Sequence, residues 1–291
     1  MTEALPRLII TGIMTGSIYG LLAMGLTLQY GVCQVLNISH GEFVMLGAML
    51  TWTVSASFGI SPLLAVAIVG PLLFVIGFLL QITLFRTLKA RTPSPPVFEG
   101  SALLVAFGLF YVISFVARIS WGSRSFLTTV LTDRVSFLGT SFALNQIIAC
   151  VIAVALGVAV YLFLSRTRLG RAIRATAEDP ATAGLMGVNT SMILAFCFGL
   201  GTMLAGIGGI LISWRTSINT QMGFSNTVIA LVVVVLGGLG SVPGSFIAGI
   251  LIGIVSRLVS GFWESVLIVP VYYAILMILL LVKPTGLLGK R

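Results

Sequence analysis

The sequence predicts an all-α polytopic membrane protein, a bundle of about eight to ten transmembrane helices, and three observations support that fold class. Hydrophobic residues make up 58% of the chain and charged residues only 8%, whereas soluble domains carry roughly 25% charged residues. Glycine occurs 33 times, and small residues let neighbouring transmembrane helices approach closely. Apolar stretches long enough to cross about 30 Å of hydrocarbon recur along the whole chain.

The same composition excludes several functional classes. The 16 basic and 7 acidic side chains are too few to cover a soluble protein of 291 residues. The three cysteines form no CxxC pair and there is one histidine, so we expect neither a disulfide framework nor a metal site. The net charge of +9 reflects scarce acids rather than a basic stripe. We therefore expect membrane lipid around the chain and no nucleic-acid partner.

Nine apolar stretches are predicted to be spans, all within a single transmembrane domain, 1–291. They are 8–28, 41–58, 63–84, 101–117, 143–164, 191–214, 227–239, 245–260 and 266–282. The seventh stretch is short and ends in glycines, which predicts a re-entrant or half helix near 227–240 that protein must bury on all sides.

Basic residues orient such a bundle, because Lys and Arg accumulate in short cytoplasmic loops. Ten of the 16 basic residues lie in the loops 85–100 and 165–190 and in the tail that ends with Lys290 and Arg291. Nine spans place all three segments on one side. We expect that side to be cytoplasmic, with the C-terminus there.

Small residues recur every four positions in two of the predicted spans, so each set lies on one helix face. Such ridges favour close helix contact, and a moving interface or a pathway lining is the alternative. The predicted packing glycines are Gly12, Gly16 and Gly20 in the first span and Gly249 and Gly253 in the eighth.

The polar loop 165–190 is the most informative connection. Its first half is rich in Ala and Arg and favours a helix. Asp179 followed by Pro180 predicts an N-cap and the first turn of a second helix, which Gly187 ends. From the residues alone, the loop is either a positively charged connection or a docking helix, 180–186, for a cytoplasmic partner.

A second polar group opens the second span. Ser39 and Glu42 have the spacing of a capping box, in which each side chain would bind a backbone amide of the other. The alternative is a polar helix break formed by Asn37, His40 and Glu42 that faces a pathway, since ionisable groups in membranes are costly and often functional. One histidine and one glutamate do not specify a proton relay.

The loop 165–190 resembles the coupling-loop motif of bacterial ABC importer permeases for branched-chain amino acids, of the high-affinity Liv type. Two further blocks resemble that family in the same order: 37–48, with its Asn-x-x-His-Gly pattern, and the Gly-rich stretch 237–249. The chain is similar to the shorter of the two permease types. The residues that this resemblance implies for ATPase coupling are Arg171, Arg174, Glu178, Asp179, Pro180, Ala183, Leu185 and Gly187.

The resemblance implies a multi-pass protein of the bacterial inner membrane that works within a complex. Its expected partners are a second homologous permease, two cytoplasmic ATP-binding subunits and a periplasmic or extracellular solute-binding protein. ATP and Mg²⁺ would be used by the ATPases, because the chain lacks a GxxxxGK[ST] phosphate loop. The cargo would be a branched-chain or hydrophobic amino acid or a related small solute. Arg215 and Glu264 are expected at outer span ends, where Arg215 snorkels to the interface or meets the binding protein.

Two other functions are compatible with parts of the sequence. An ATP-independent secondary transporter or channel would also be an apolar bundle, but it would need coupling carboxylates inside the spans. The sequence offers few, because Glu42 is near a span end and no Asp lies inside any span. An intramembrane enzyme would need clustered catalytic groups. One histidine and seven scattered acids disfavour that class.

Overall fold

The computed structural model describes residues 4–137, 140–283 and 285–289, so Lys290 and Arg291 of the basic tail lie outside the described residues. Twelve α-helices are formed within these ranges: α1 (Ala4–Cys33), α2 (His40–Phe58), α3 (Pro62–Leu80), α4 (Arg86–Arg91), α5 (Pro95–Trp121), α6 (Leu144–Arg166), α7 (Arg168–Glu178), α8 (Pro180–Leu185), α9 (Thr190–Ser213), α10 (Met222–Gly237), α11 (Val242–Phe262) and α12 (Ile268–Val282). A π-helical segment, Gln81–Phe85, joins α3 to α4.

The all-α membrane fold is confirmed, because long apolar helices coincide with the predicted spans. Six helices among the described residues are long and apolar enough to cross a membrane: α1, the continuous α3–α4 unit, α5, α6, α9 and α11. The other three predicted spans correspond to α2, α10 and α12. The seventh span is indeed short, since α10 has 16 residues and a length of about 24 Å.

A small β-hairpin was not predicted from the sequence. Strands β1 (Arg134–Phe137) and β2 (Thr140–Ala143) pair antiparallel in the connection between α5 and α6. Four-residue strands are too short for their alternation to be recognised. In the same connection, Phe126 forms a β-bridge with Ile218, which ties it to the turn between α9 and α10.

The centre of the bundle is formed by α1 and α9, with α3 packed on α9 and α11 packed on α1. The five predicted packing glycines all lie in the contact between α1 and α11. A Cβ added to Gly16 would lie 2.6 Å from the Gly249 oxygen, and one on Gly12 would lie 2.7 Å from the Ile254 Cα. The two backbones are therefore in direct contact, closer than any pair of larger residues permits.

Candidate functional site

The chain between α1 and α2 turns back into the bundle. Residues 34–39 are not helical, and Gln34 at the end of α1 has a φ of 56°. The Nε2 atom of His40, the first residue of α2, lies 3.0 Å from the Leu22 oxygen. Leu22 lies about 16 Å before the end of α1 at 1.5 Å per residue. The start of α2 is thus inside the protein, and the turn lies alongside α1.

The turn is held by a buried network centred on Gln29. Its Oε1 accepts a hydrogen bond from Asn37 Nδ2 at 3.1 Å and lies 3.3 Å from His40 Nδ1. Its Nε2 donates to Thr202 Oγ1 at 3.1 Å and to the Phe198 oxygen at 3.2 Å. The network therefore joins α1, the turn and α9. Gln29 and Thr202 were not singled out from the sequence, although a glutamine inside an apolar span is a usable signal.

The capping box predicted for Ser39 and Glu42 is wrong. Ser39 occupies the N-cap position of α2, but its side chain caps no helix amide, and its hydroxyl donates to Asn37 Oδ1 at 2.5 Å. The Oε2 of Glu42 is buried without a hydrogen-bond partner. The first turn of α2 is bound instead by α10, because Thr227 Oγ1 accepts from the Gly41 amide at 2.9 Å.

Replacing Gln29 with Leu is expected to destabilise the fold. The change leaves polar groups of the turn buried without partners, which lowers the free energy of unfolding by about 2–4 kcal/mol. The measurement is the thermal unfolding midpoint of the purified protein in detergent. Gln81→Leu is the matched control, because Gln81 is also buried but its Oε1 already lacks a partner. Equal midpoints for the two variants would show that the network adds no stability.

Two capped helices form the connection between α6 and α9. Thr167 caps α7, because its Oγ1 accepts from the Gly170 amide at 2.9 Å. Asp179 caps α8 as predicted. Its carboxylate accepts from the Thr182 hydroxyl and from the Ala181 amide, and these two bonds lower the pKa of Asp179. Gly187 then adopts a φ of 83° just past the end of α8.

The surface of this helix pair has an apolar tip. Leu185 is 88% exposed and Met186 is 81% exposed, whereas Ala183 is buried and faces the protein. The pair is held against the bundle, since the Arg174 guanidinium donates to the Leu164 oxygen at the end of α6. Of the eight predicted coupling residues, six are exposed, Pro180 is half-buried and Ala183 is buried.

A second polar cluster, which the sequence did not predict, lies at the opposite end of α9. Arg215 was expected to snorkel outward, but its Nη2 donates to Thr15 Oγ1 of α1 at 2.9 Å. Arg257 of α11 donates from Nε to the same oxygen at 3.2 Å. Neither Thr15 nor Arg257 was singled out from the sequence, although an arginine inside the eighth predicted span is a usable signal.

Comparison with known proteins places this chain in a family. Residues 8–283 match the family model described as the permease component of branched-chain amino acid transport systems. The chain is 31% identical to the LivH high-affinity branched-chain amino acid transport system permease of Escherichia coli K12, over 96% of this chain and 94% of that protein. It is 30% identical to the corresponding BraD permease of Pseudomonas aeruginosa, over 97% and 95%.

A third relative bears the name of a different permease. The LivM permease protein of the high-affinity branched-chain amino acid transport system of Salmonella typhimurium is 24% identical, over 93% of this chain and 68% of that protein. The family match across nearly the whole chain and the helical bundle agree with each other. This chain is therefore a multi-pass membrane permease that belongs to the family of branched-chain amino acid transport permeases.

Proposed function

We propose that the chain is the translocation subunit of an ATP-driven importer for branched-chain or other hydrophobic amino acids in the bacterial inner membrane. It pairs with a second, homologous permease. Two cytoplasmic ATP-binding subunits supply the energy with ATP and Mg²⁺, and an external solute-binding protein delivers the cargo. The names of the relatives support this cargo and a second permease.

The observation that carries the proposal is the apolar tip of α8. Leu185 and Met186 are exposed on a short helix that is capped at both ends and anchored to the bundle. An exposed apolar pair on a loop is typical of a partner surface, because water gives it no favourable contact. We assign the tip, with the surrounding charges of Arg171 and Glu178, to docking of an ATP-binding subunit.

The path of the motion follows from the contacts of the helix pair. A push on α8 reaches α7, which packs against the end of α6 and contacts α1 and α9. Helices packed this closely move as rigid bodies rather than bend. ATPase closure would thus tilt the bundle against the second permease and alternate access between the two sides. The buried turn formed by Asn37, His40 and Glu42 lies on the central helices and is assigned to the moving pathway region.

The test is reconstitution of the chain with its genomic neighbours in proteoliposomes. We expect accumulation of labelled leucine only when the second permease, both ATP-binding subunits, the cargo-loaded binding protein and ATP are all present. An ATP-binding subunit that binds but does not hydrolyse ATP is the control. Uptake by this chain alone, or uptake driven by an ion gradient without ATP, would overturn the proposal in favour of a secondary transporter.

A further inference from the structure

A polar cavity of about 130 Å³ lies at the end of α9 that is remote from α7 and α8. Its wall is formed by α1, the last turn of α9 and the residues that follow it, α10 and α11. The polar lining residues are Thr15, Tyr19, Arg215, Thr216, Asn226 and Arg257. Because the 24 residues of α9 span about 36 Å, the cavity is near the face opposite the apolar tip.

The cavity carries positive charge without a neutralising group of its own. Both arginines line it, and none of the lining residues is acidic. Arginine stays protonated in proteins, so both side chains keep their charge. The guanidiniums share the hydroxyl oxygen of Thr15, which itself donates to the Thr11 oxygen at 2.8 Å. The Thr15 hydroxyl therefore has no hydrogen-bonding capacity left, and this one uncharged oxygen is the acceptor for both cations.

Unused hydrogen-bond donors remain in the cluster. The Nε of Arg215 is buried and has no hydrogen-bond partner. Asn226 Nδ2 is already engaged, because it donates to the Met222 oxygen at 2.8 Å. A buried donor without an acceptor is costly, and two like charges held together in an apolar protein cost more. An anion with two oxygens would satisfy the donors and balance the charge.

We propose that the cavity binds the carboxylate of the cargo amino acid on its way from the binding protein. This inference rests on the proposed function, since it assigns one end of that cargo to named residues. Planar guanidiniums bind carboxylates through paired hydrogen bonds. A volume of about 130 Å³ suits the polar end of an amino acid. The branched side chain would lie towards Ile18 and Ile212, which line the apolar part.

The test is ligand-dependent thermal unfolding of the full complex in nanodiscs of neutral phosphatidylcholine, since a ligand raises the unfolding midpoint in proportion to its binding. Leucine and 4-methylpentanoate, which both carry a carboxylate, should raise the midpoint. Leucinamide, which lacks one, should not. Arg215→Gln and Arg257→Gln should each weaken leucine binding at least tenfold, while Arg257→Lys should retain part of it. Arg124→Gln, at an exposed arginine, is the matched control.

Several outcomes would overturn the inference. One is equal stabilisation by leucinamide and leucine, and another is leucine binding by both Gln variants that equals that of the parent. A third is an unfolding midpoint that rises in phosphatidylglycerol nanodiscs but not with leucine, and that rises only when both arginines are present. This result would assign the cavity to a lipid phosphate. If the Gln variants lose affinity for the binding protein but bind leucine unchanged, the cavity would be assigned to an acidic side chain of the binding protein. Uptake by the parent complex is measured in parallel. If uptake fails, the proposed function fails, whereas 4-methylpentanoate binding still reports on the cavity.

Discussion

Leu185→Glu in α8 is expected to reduce ATP-driven uptake at least tenfold while leaving the folded yield of the permease unchanged. Leu185 is 88% exposed, and surface substitutions of this kind change stability by only about 0.5 kcal/mol. In the proposed complex, however, the same side chain enters an apolar groove of the ATP-binding subunit. A carboxylate buried there without a partner costs enough binding energy to separate the subunits or to uncouple them.

The measurement is leucine uptake and ATP hydrolysis by the reconstituted complex, with co-purification of the ATP-binding subunits as a third readout. Leu185→Met is the matched control, because it keeps an apolar side chain of similar size and should retain uptake. Full uptake by Leu185→Glu would remove α8 from the docking surface. Charge reversal at Glu178 and Asp179 with Pro180→Leu should also uncouple, but it removes the cap of α8 as well. The single substitution is therefore the sharper test.

Gly16→Ala is expected to destabilise the packing of α1 against α11. Its Cβ would lie 2.6 Å from both the Gly249 oxygen and the Ile250 Cα. Both are backbone atoms, so no side chain can rotate away, and α1 and α11 must separate. Overpacking of this kind costs about 1–3 kcal/mol, and the separation also loosens the neighbouring glycine contacts.

The matched control is Gly108→Ala in α5, where an added Cβ would meet nothing within 4 Å. Alanine there should be neutral or stabilising, since glycine is the poorer helix former by about 1 kcal/mol. The two variants are compared by thermal unfolding in detergent and by yield after size-exclusion chromatography. If Gly16→Ala is as stable as Gly108→Ala, the α1–α11 contact accommodates a methyl group and the prediction is wrong.

Local signals in the sequence predicted local structure well. The helix predicted at 180–186 is observed at Pro180–Leu185, because Asp179, Pro180 and Gly187 act on their immediate neighbours. The stretches predicted from hydropathy coincide with six helices that are long and apolar enough to cross a membrane and with α2, α10 and α12. The capping box failed because a tertiary contact decided the outcome, with Ser39 bound to Asn37 in a turn that folds back along α1.

Contacts between distant parts of the chain were not predictable. Gln29 meets Thr202 across 173 residues, and Arg257 meets Thr15 across 242. Gln29 and Arg257 stand out as polar residues in apolar helices, but nothing local identifies the residue that each one meets. The inward direction of Arg215 is likewise set by the fold, because its Nη2 donates to Thr15, which lies 200 residues earlier in the chain.

The start of α2 inside the bundle also constrains how the protein is made. The Gly41 amide binds Thr227, which is synthesised 186 residues later. Until α10 is in the membrane, the Gly41 amide lacks its Thr227 acceptor and the start of α2, including Glu42, lacks the contact with α10. Helix α2 is thus one of the first to be translated and one of the last to reach its final place. The packing of α2 is therefore completed only when α10 has reached it.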